Sequence, residues 1–194
     1  MSRAPHAVLP PDLLALRDTF EALAADAQAL VSPLSDTPFH WRPPSGAWSI
    51  AMCLEHLNVT ARLYLPKIDE GIAEAMQVGR YGDAPYSLGW FERMVIRRIE
   101  PPPWPKLTTR AAFVPAPDRR RADVMAAFGA YQVQYIDRLR QATGLHLTRA
   151  RVKSPVTDLV RVSLLAAFHI MAAHERRHLW QARQVMGDPA FPRT

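Results

Sequence analysis

The sequence is poorest in cysteine: 194 residues hold one. A single thiol forms no internal disulfide and assembles no thiolate cluster, so disulfide frameworks and cysteine-type zinc modules are excluded. A reducing cytoplasm is the expected setting. Long apolar runs are missing too. Nowhere do about 18 consecutive apolar residues occur, and residues 1–11 carry one arginine and no apolar stretch of signal-peptide length, so neither membrane spanning nor export is expected. Glycine is scarce, at 8 residues, and lysine scarcer, since Lys67, Lys106 and Lys153 are the only ones among 24 basic residues. The pI of about 10.0 therefore comes from arginine. Its clusters, Arg97-Arg98, Arg119-Arg120-Arg121 and Arg176-Arg177, are short and lack the interleaved aromatics or helix-turn-helix pattern of a nucleic-acid surface, so solvated helix faces are expected and nucleic acid is not an expected partner. What remains, 48% hydrophobic and 22% charged residues, is the profile of one globular domain spanning 1–194.

Proline is plentiful, and it punctuates. The 18 prolines gather near 5–11, 33–44, 101–105 and 115–117, and the segments between them carry helical periodicity. A first helix places Leu13, Leu16, Phe20, Leu23, Ala27 and Leu30 on one face at alternating spacings of three and four, with Asp12 as its expected N-cap. A second begins after Gly46, capped by Ser49, with Ile50, Cys53, Leu54, Leu57, Ala61 and Tyr64 inward; Pro66 is expected to kink or restart it. Between 81 and 117 the pattern weakens to a short helix over 90–99 and extended loop, the expected cover over any site. A third helix spans about 119–142, with Met125, Phe128, Tyr131, Tyr135 and Leu139 inward and Gly144 as its stop. A fourth spans about 157–186. No strand pattern or internal repeat of comparable length competes. The fold class predicted is all-α: an antiparallel four-helix bundle with a loop-rich segment between helices two and three.

The fourth helix carries the chemistry. Its inward seam reads Val160, Leu164, Ala167, Met171, His174, His178, Gln181 and Val185, so three consecutive core positions are polar. Buried imidazoles need hydrogen bonds or a coordinated ion. His174 and His178, four apart, lie about 40° from each other on the helix and form a two-ligand edge for a metal. His56, at the border of the second helix's apolar stripe, is the candidate third ligand. His6 and His40 fall in proline-rich loops, His146 follows Gly144, and His169 is rotated about 140° from the pair.

Alternatives attach to the same residues. His174-Glu175-Arg176-Arg177-His178 satisfies the letters of a zinc-protease motif with Glu175 as general base, but the eight residues after Met186 offer only Asp188 as a further ligand, so that reading is the weaker one. Gln181, one turn past His178, is a candidate for orienting a ligand or contacting substrate, or for satisfying backbone groups. Cys53, one turn before His56, is expected to be packing.

The chain resembles the DinB-like (DinB/YfiT-type) metal-binding four-helix family. The matching stretches are Phe39-His40-Trp41-Arg42-Pro43 through Gly46-Ala47-Trp48-Ser49-Ile50, then Glu55-His56-Leu57, Ala112-Phe113-Val114-Pro115, and His174 through Gln181, in order from about 13 to 192. The resemblance implies three metal-ligating histidines at His56, His174 and His178. Among relatives it points to thiol-dependent S-transferases and isomerases.

Three neutral imidazoles from two helices leave a coordination position open, as in catalytic zinc sites, and suit nickel equally; a ferrous facial triad would want a carboxylate. The function expected is a metal-dependent thiol S-transferase acting on a low-molecular-weight thiol and a small electrophile, with nearby arginines holding thiol carboxylates. A metal-dependent hydrolase of a small amide or ester is the alternative. A non-catalytic metal- or ligand-binding stress protein, a homodimer through an exposed helix face, is another. With unperturbed imidazoles near pKa 6.5, metal affinity is expected to fall below that pH as protons compete for three ligands.

Overall fold

Helical spacing in the sequence becomes helix in the structure, a computed structural model that describes residues 9–102 and 109–193, with side chains at 157–159 excluded. The expected loops at 1–8, which include His6, and at 103–108 lie outside the described residues. In chain order the elements are α1 (Pro11–Val31), a short α2 (Asp36–His40), α3 (Ile50–Gln77), α4 (Trp90–Ile99), a 3-10 turn (Ala111–Phe113), α5 (Arg121–Gln141), strands β1 (Arg151–Ser154) and β2 (Thr157–Ser163), and α6 (Leu164–Met186). The fold is an all-α helical bundle built on α1, α3, α5 and α6.

Helix α1 buries all six positions of its predicted stripe. Its start differs from expectation. Pro10 occupies the N-cap position, with Pro11 supplying a fixed φ at the first helical residue. Asp12 instead lies inside the first turn, where its carboxylate accepts the Tyr86 backbone N–H at 3.0 Å and ties down the loop before α4. Ser49 does cap α3, accepting the Met52 N–H at 3.1 Å. Pro66 neither ends nor restarts that helix, which runs unbroken through Gln77. In α5 the buried face is Val124, Phe128, Gln132, Tyr135, Ile136 and Leu139. Met125 and Tyr131 are only half-buried, so the helix is rotated slightly from the predicted stripe and turns the polar Gln132 inward.

The largest departure precedes α6. Residues 157–163, expected as its first two turns, form β2, which pairs antiparallel with β1 through Val152 opposite Val162 and Lys153 opposite Arg161. Val160 is therefore an exposed strand residue rather than the top of a helical seam. The local reason is a Val-Thr-Asp-Leu-Val-Arg-Val run, rich in β-branched residues that suit a pleated edge better than a helix. The helix begins where Ser163 can cap it, accepting the Ala166 N–H at 3.1 Å.

Helices α1 and α3 each pack against both α5 and α6. The first and second long helices are thus diagonal across the bundle rather than paired neighbours, and the sequence-distant α3 and α6 become adjacent. A two-pronged Arg138–Asp69 pair, both N–O distances 2.9 Å, links α5 to α3. Helix α4 lies outside the bundle on α6, fastened by Glu92, whose Oε1 accepts the Ser163 N–H at 2.8 Å, and by the ion pair of Glu100 with Arg176. No helix among the described residues is long and apolar enough to cross a membrane.

Candidate metal centre

The contact between α3 and α6 brings three imidazoles from distant parts of the chain into one cluster. His56 sits in the fully buried first half of α3, and His174 and His178 project from one face of α6. One potential ligand atom from each falls within 4.8 Å of the others, the spacing a single ion can bridge. Ring centroids are 4.5 Å apart for His56–His178 and for His174–His178, and 5.0 Å for His56–His174.

The tautomer of His56 follows from its partner. Its Nδ1 lies 2.7 Å from the carbonyl oxygen of Phe113, and a carbonyl only accepts, so Nδ1 carries the proton and Nε2 presents a lone pair. That lone pair faces Nε2 of His174 at 3.2 Å. Nδ1 of His178 is buried with no hydrogen-bond partner. Three buried or half-buried imidazoles have little but each other and one carbonyl close at hand, and a buried ring nitrogen without a partner is costly. The lone pair of His56 and those the other two rings can present suit a shared cation. The donor set thus fits a divalent ion.

Electrostatics keep the rings neutral. Burial pushes His174 down to about 3, assisted by the charges of His56 and Arg177. Burial also lowers His56, against the opposing hydrogen bond to Phe113, and His178 well below the ordinary range, with Gln181 acting in the opposite sense. Arg177 adds positive potential at all three. Neutral imidazole is the metal-binding form, so no proton need be expelled first.

The cluster opens onto a cavity of about 940 Å³. Trp48 forms one wall, its ring 4.9 Å from His56 and stacked 5.9 Å from His178. Tyr64, Ile99, Phe113 and Met171 make the site largely apolar, and Arg110, Arg177, Gln181 and Gln184 supply polar groups. Among the described residues no carboxylate lines it.

The remaining sequence candidates separate cleanly. His174 and Gln181 are half-buried and His178 buried, so the polar seam faces a cavity rather than solid core. Gln181 stays beside His178 on the cavity wall. Glu175 turns away from it: buried, it accepts the Gln132 side-chain N–H at 3.1 Å between α6 and α5, and burial raises its carboxyl to about 8. A protonated acid on the opposite face cannot be the general base of a protease. Cys53 is wholly buried, its thiol pushed to about 12 by desolvation, and it is a packing residue. His40 lies against the carbonyls of Asp36 and Arg119, His146 beside Thr148, and His169 outside the cluster.

Sequence reasoning missed Trp48, Arg177 and the Phe113 carbonyl as parts of the site. Arg177 had a legible signal, three residues after His174 on the same helical side. A backbone carbonyl that arrives across the fold leaves no sequence signal at all.

A family model described as the DinB superfamily matches residues 19–182. No match was found among curated proteins or among solved structures.

Proposed function

The chain belongs to the DinB superfamily, and we propose that it binds one divalent transition metal, zinc or nickel, through His56, His174 and His178 to activate a low-molecular-weight thiol for transfer to a small electrophile. The carrying observation is the convergence of three neutral imidazoles on the wall of a large cavity with no carboxylate among its described lining residues. When bound, such an ion supplies Lewis acidity that lowers the pKa of a thiol or water in its open position.

This chain's residues do the rest. The Phe113 carbonyl fixes the His56 ring and its tautomer, which holds Nε2 toward the other two rings. Trp48, Phe113 and Met171 exclude water around the nucleophile, which strengthens charge interactions there. Gln181 offers an amide to orient the bound molecule. Transfer is favoured over hydrolysis because the acid a water-activating mechanism would draw on, Glu175, is committed to Gln132 on another face. A thiol, acidic by itself near pKa 8.5, needs no such base. The reading places the reaction in the cytoplasm, where such thiols are kept reduced.

Metal content of the tag-free wild type and of His174→Ala, measured by elemental analysis, tests the site. Wild type is expected to hold about one ion per chain and the variant far less; equal content overturns the assignment. Metal-loaded protein is then screened by mass spectrometry against mixed thiols and electrophiles. Product that requires added thiol supports transfer, product formed without thiol replaces transfer by hydrolysis, and a melting temperature that falls on chelation with no turnover leaves a non-catalytic binding protein.

A further inference from the structure

We propose that Arg177 is the carboxylate-binding residue of this cavity, so that the small molecule taken there carries a carboxylate beside its metal-binding group. The inference rests on the metal-site reading above and names the substrate class for it.

The arginines of this chain are largely committed. Arg138 pairs with Asp69, Arg176 with Glu100, Arg183 with Asp26 and Arg121 with Asp36. Arg177, half-buried on the cavity wall, has no acidic partner and no hydrogen-bond acceptor among the described residues. Long arginine side chains escape to solvent when nothing holds them, and a partly desolvated guanidinium without a partner is costly. Position is the second argument. Arg177 lines the same cavity as His56, His174 and His178, within reach of a molecule that occupies the open side of the imidazole cluster.

Charge is the third. Three neutral imidazoles contribute nothing against a divalent ion, and Arg177 and Arg110 add further positive charge, Arg110 already donating to the Val156 carbonyl, while the described lining has no carboxylate to offset any of it. A thiolate would neutralise one of these charges and leave the guanidinium unanswered. A carboxylate on the same molecule answers it, and the planar, bidentate fork matches carboxylate geometry.

The test is calorimetric and does not depend on turnover. N-acetylcysteine and its carboxamide are close in shape and differ in the charge at issue, and both are titrated into metal-loaded wild type, Arg177→Lys and Arg177→Gln, the variants separating the guanidinium's part from any direct effect of the carboxylate on the metal or thiol. Wild type is expected to prefer the acid by about tenfold, the ratio for a charge-assisted hydrogen bond. Arg177→Gln should bring the two affinities together, and Arg177→Lys should retain part of the preference. No preference in wild type, or an undiminished one in a folded Arg177→Gln protein, overturns the proposal; should Arg177→Gln not fold, an undiminished preference in Arg177→Lys does so. Metal-free protein titrated with N-acetylalanine and its amide separates this proposal from the metal reading. A preference for the acid there that is lost in the variants supports Arg177 whatever the metal content, and its absence counts against Arg177 alone. Inorganic phosphate displacing N-acetylcysteine more strongly than acetate at equal ionic strength overturns the carboxylate in favour of a tetrahedral anion.

Discussion

Metal binding at about pH 6 should release fewer protons than three histidines ordinarily surrender. Free imidazoles of pKa near 6.5 are roughly three-quarters protonated there, so an exposed tri-histidine site would release about 2.3 protons on loading. In the folded metal-free protein His174 is held at about 3 by burial and like charge and carries essentially no proton, and His56 and His178 are lowered as well. Release is therefore expected below about one proton per ion. Titration calorimetry with zinc in buffers of different ionisation enthalpy measures it directly.

The pH dependence does not vanish; it moves to folding. Each buried histidine has a folded pKa below its unfolded value, so the unfolded chain binds more protons as pH falls below about 6.5. Stability is fully present above that value and is lost as pH drops toward about 3 for His174. The slope is about 1.4 kcal/mol per pH unit for each histidine, and about 4 kcal/mol while all three remain neutral in the fold. The fall of affinity below about pH 6.5 through proton competition should thus be shallower than for three free imidazoles, over a less stable apo-protein. Release of two or more protons at about pH 6 would refute the reasoning, because the rings would then be solvated and ordinary.

Glu175→Gln should flatten the opposite slope. With its folded pKa raised from 4.5 to about 8, Glu175 favours folding below about pH 4.5 and loses that contribution as pH rises toward 8. The amide keeps the shape and supplies an N–H donor beside Gln132, whose side-chain oxygen is unpartnered. Urea unfolding should find the variant gaining roughly 2–3 kcal/mol on wild type between pH 5 and 7; parallel pH profiles would show that Glu175 is ionised in the fold. At Gly71, on α3, an added Cβ would meet the Arg151 carbonyl oxygen at 2.7 Å and Val152 Cγ2 at 3.0 Å. Gly71→Ala should cost about 1–2 kcal/mol despite its better helix propensity. Gly129→Ala on α5, where nothing lies within 4 Å, should instead stabilise by up to about 1 kcal/mol, and denaturant midpoints of the pair that moved together would refute the close approach of the hairpin.

Periodicity is a local property, and what depends on it was legible. The stripe of α1 and the shared face of His174 and His178 follow from about 100° of rotation per residue, and the Ser49 cap of α3 from a short hydroxyl side chain placed just before the first turn. The same arithmetic turns Glu175 off that face. Where two elements compete locally, the sequence alone misled: the run ending at Ser163 has enough apolar residues to extend a helix, but pairing with β1 and packing of that strand on Gly71 decide for a hairpin. Adjacency is a property of the whole chain. That α3 neighbours α6, that the Phe113 carbonyl reaches His56, and that Trp48 walls the cluster depend on packing summed over the bundle. Neutral rings at ordinary pH depend on it further, since desolvation is set by neighbours that no spacing within one helix specifies. The sequence by itself determined the helices and the three imidazoles; tertiary structure decided that they meet, uncharged, at a cavity with Arg177 beside them.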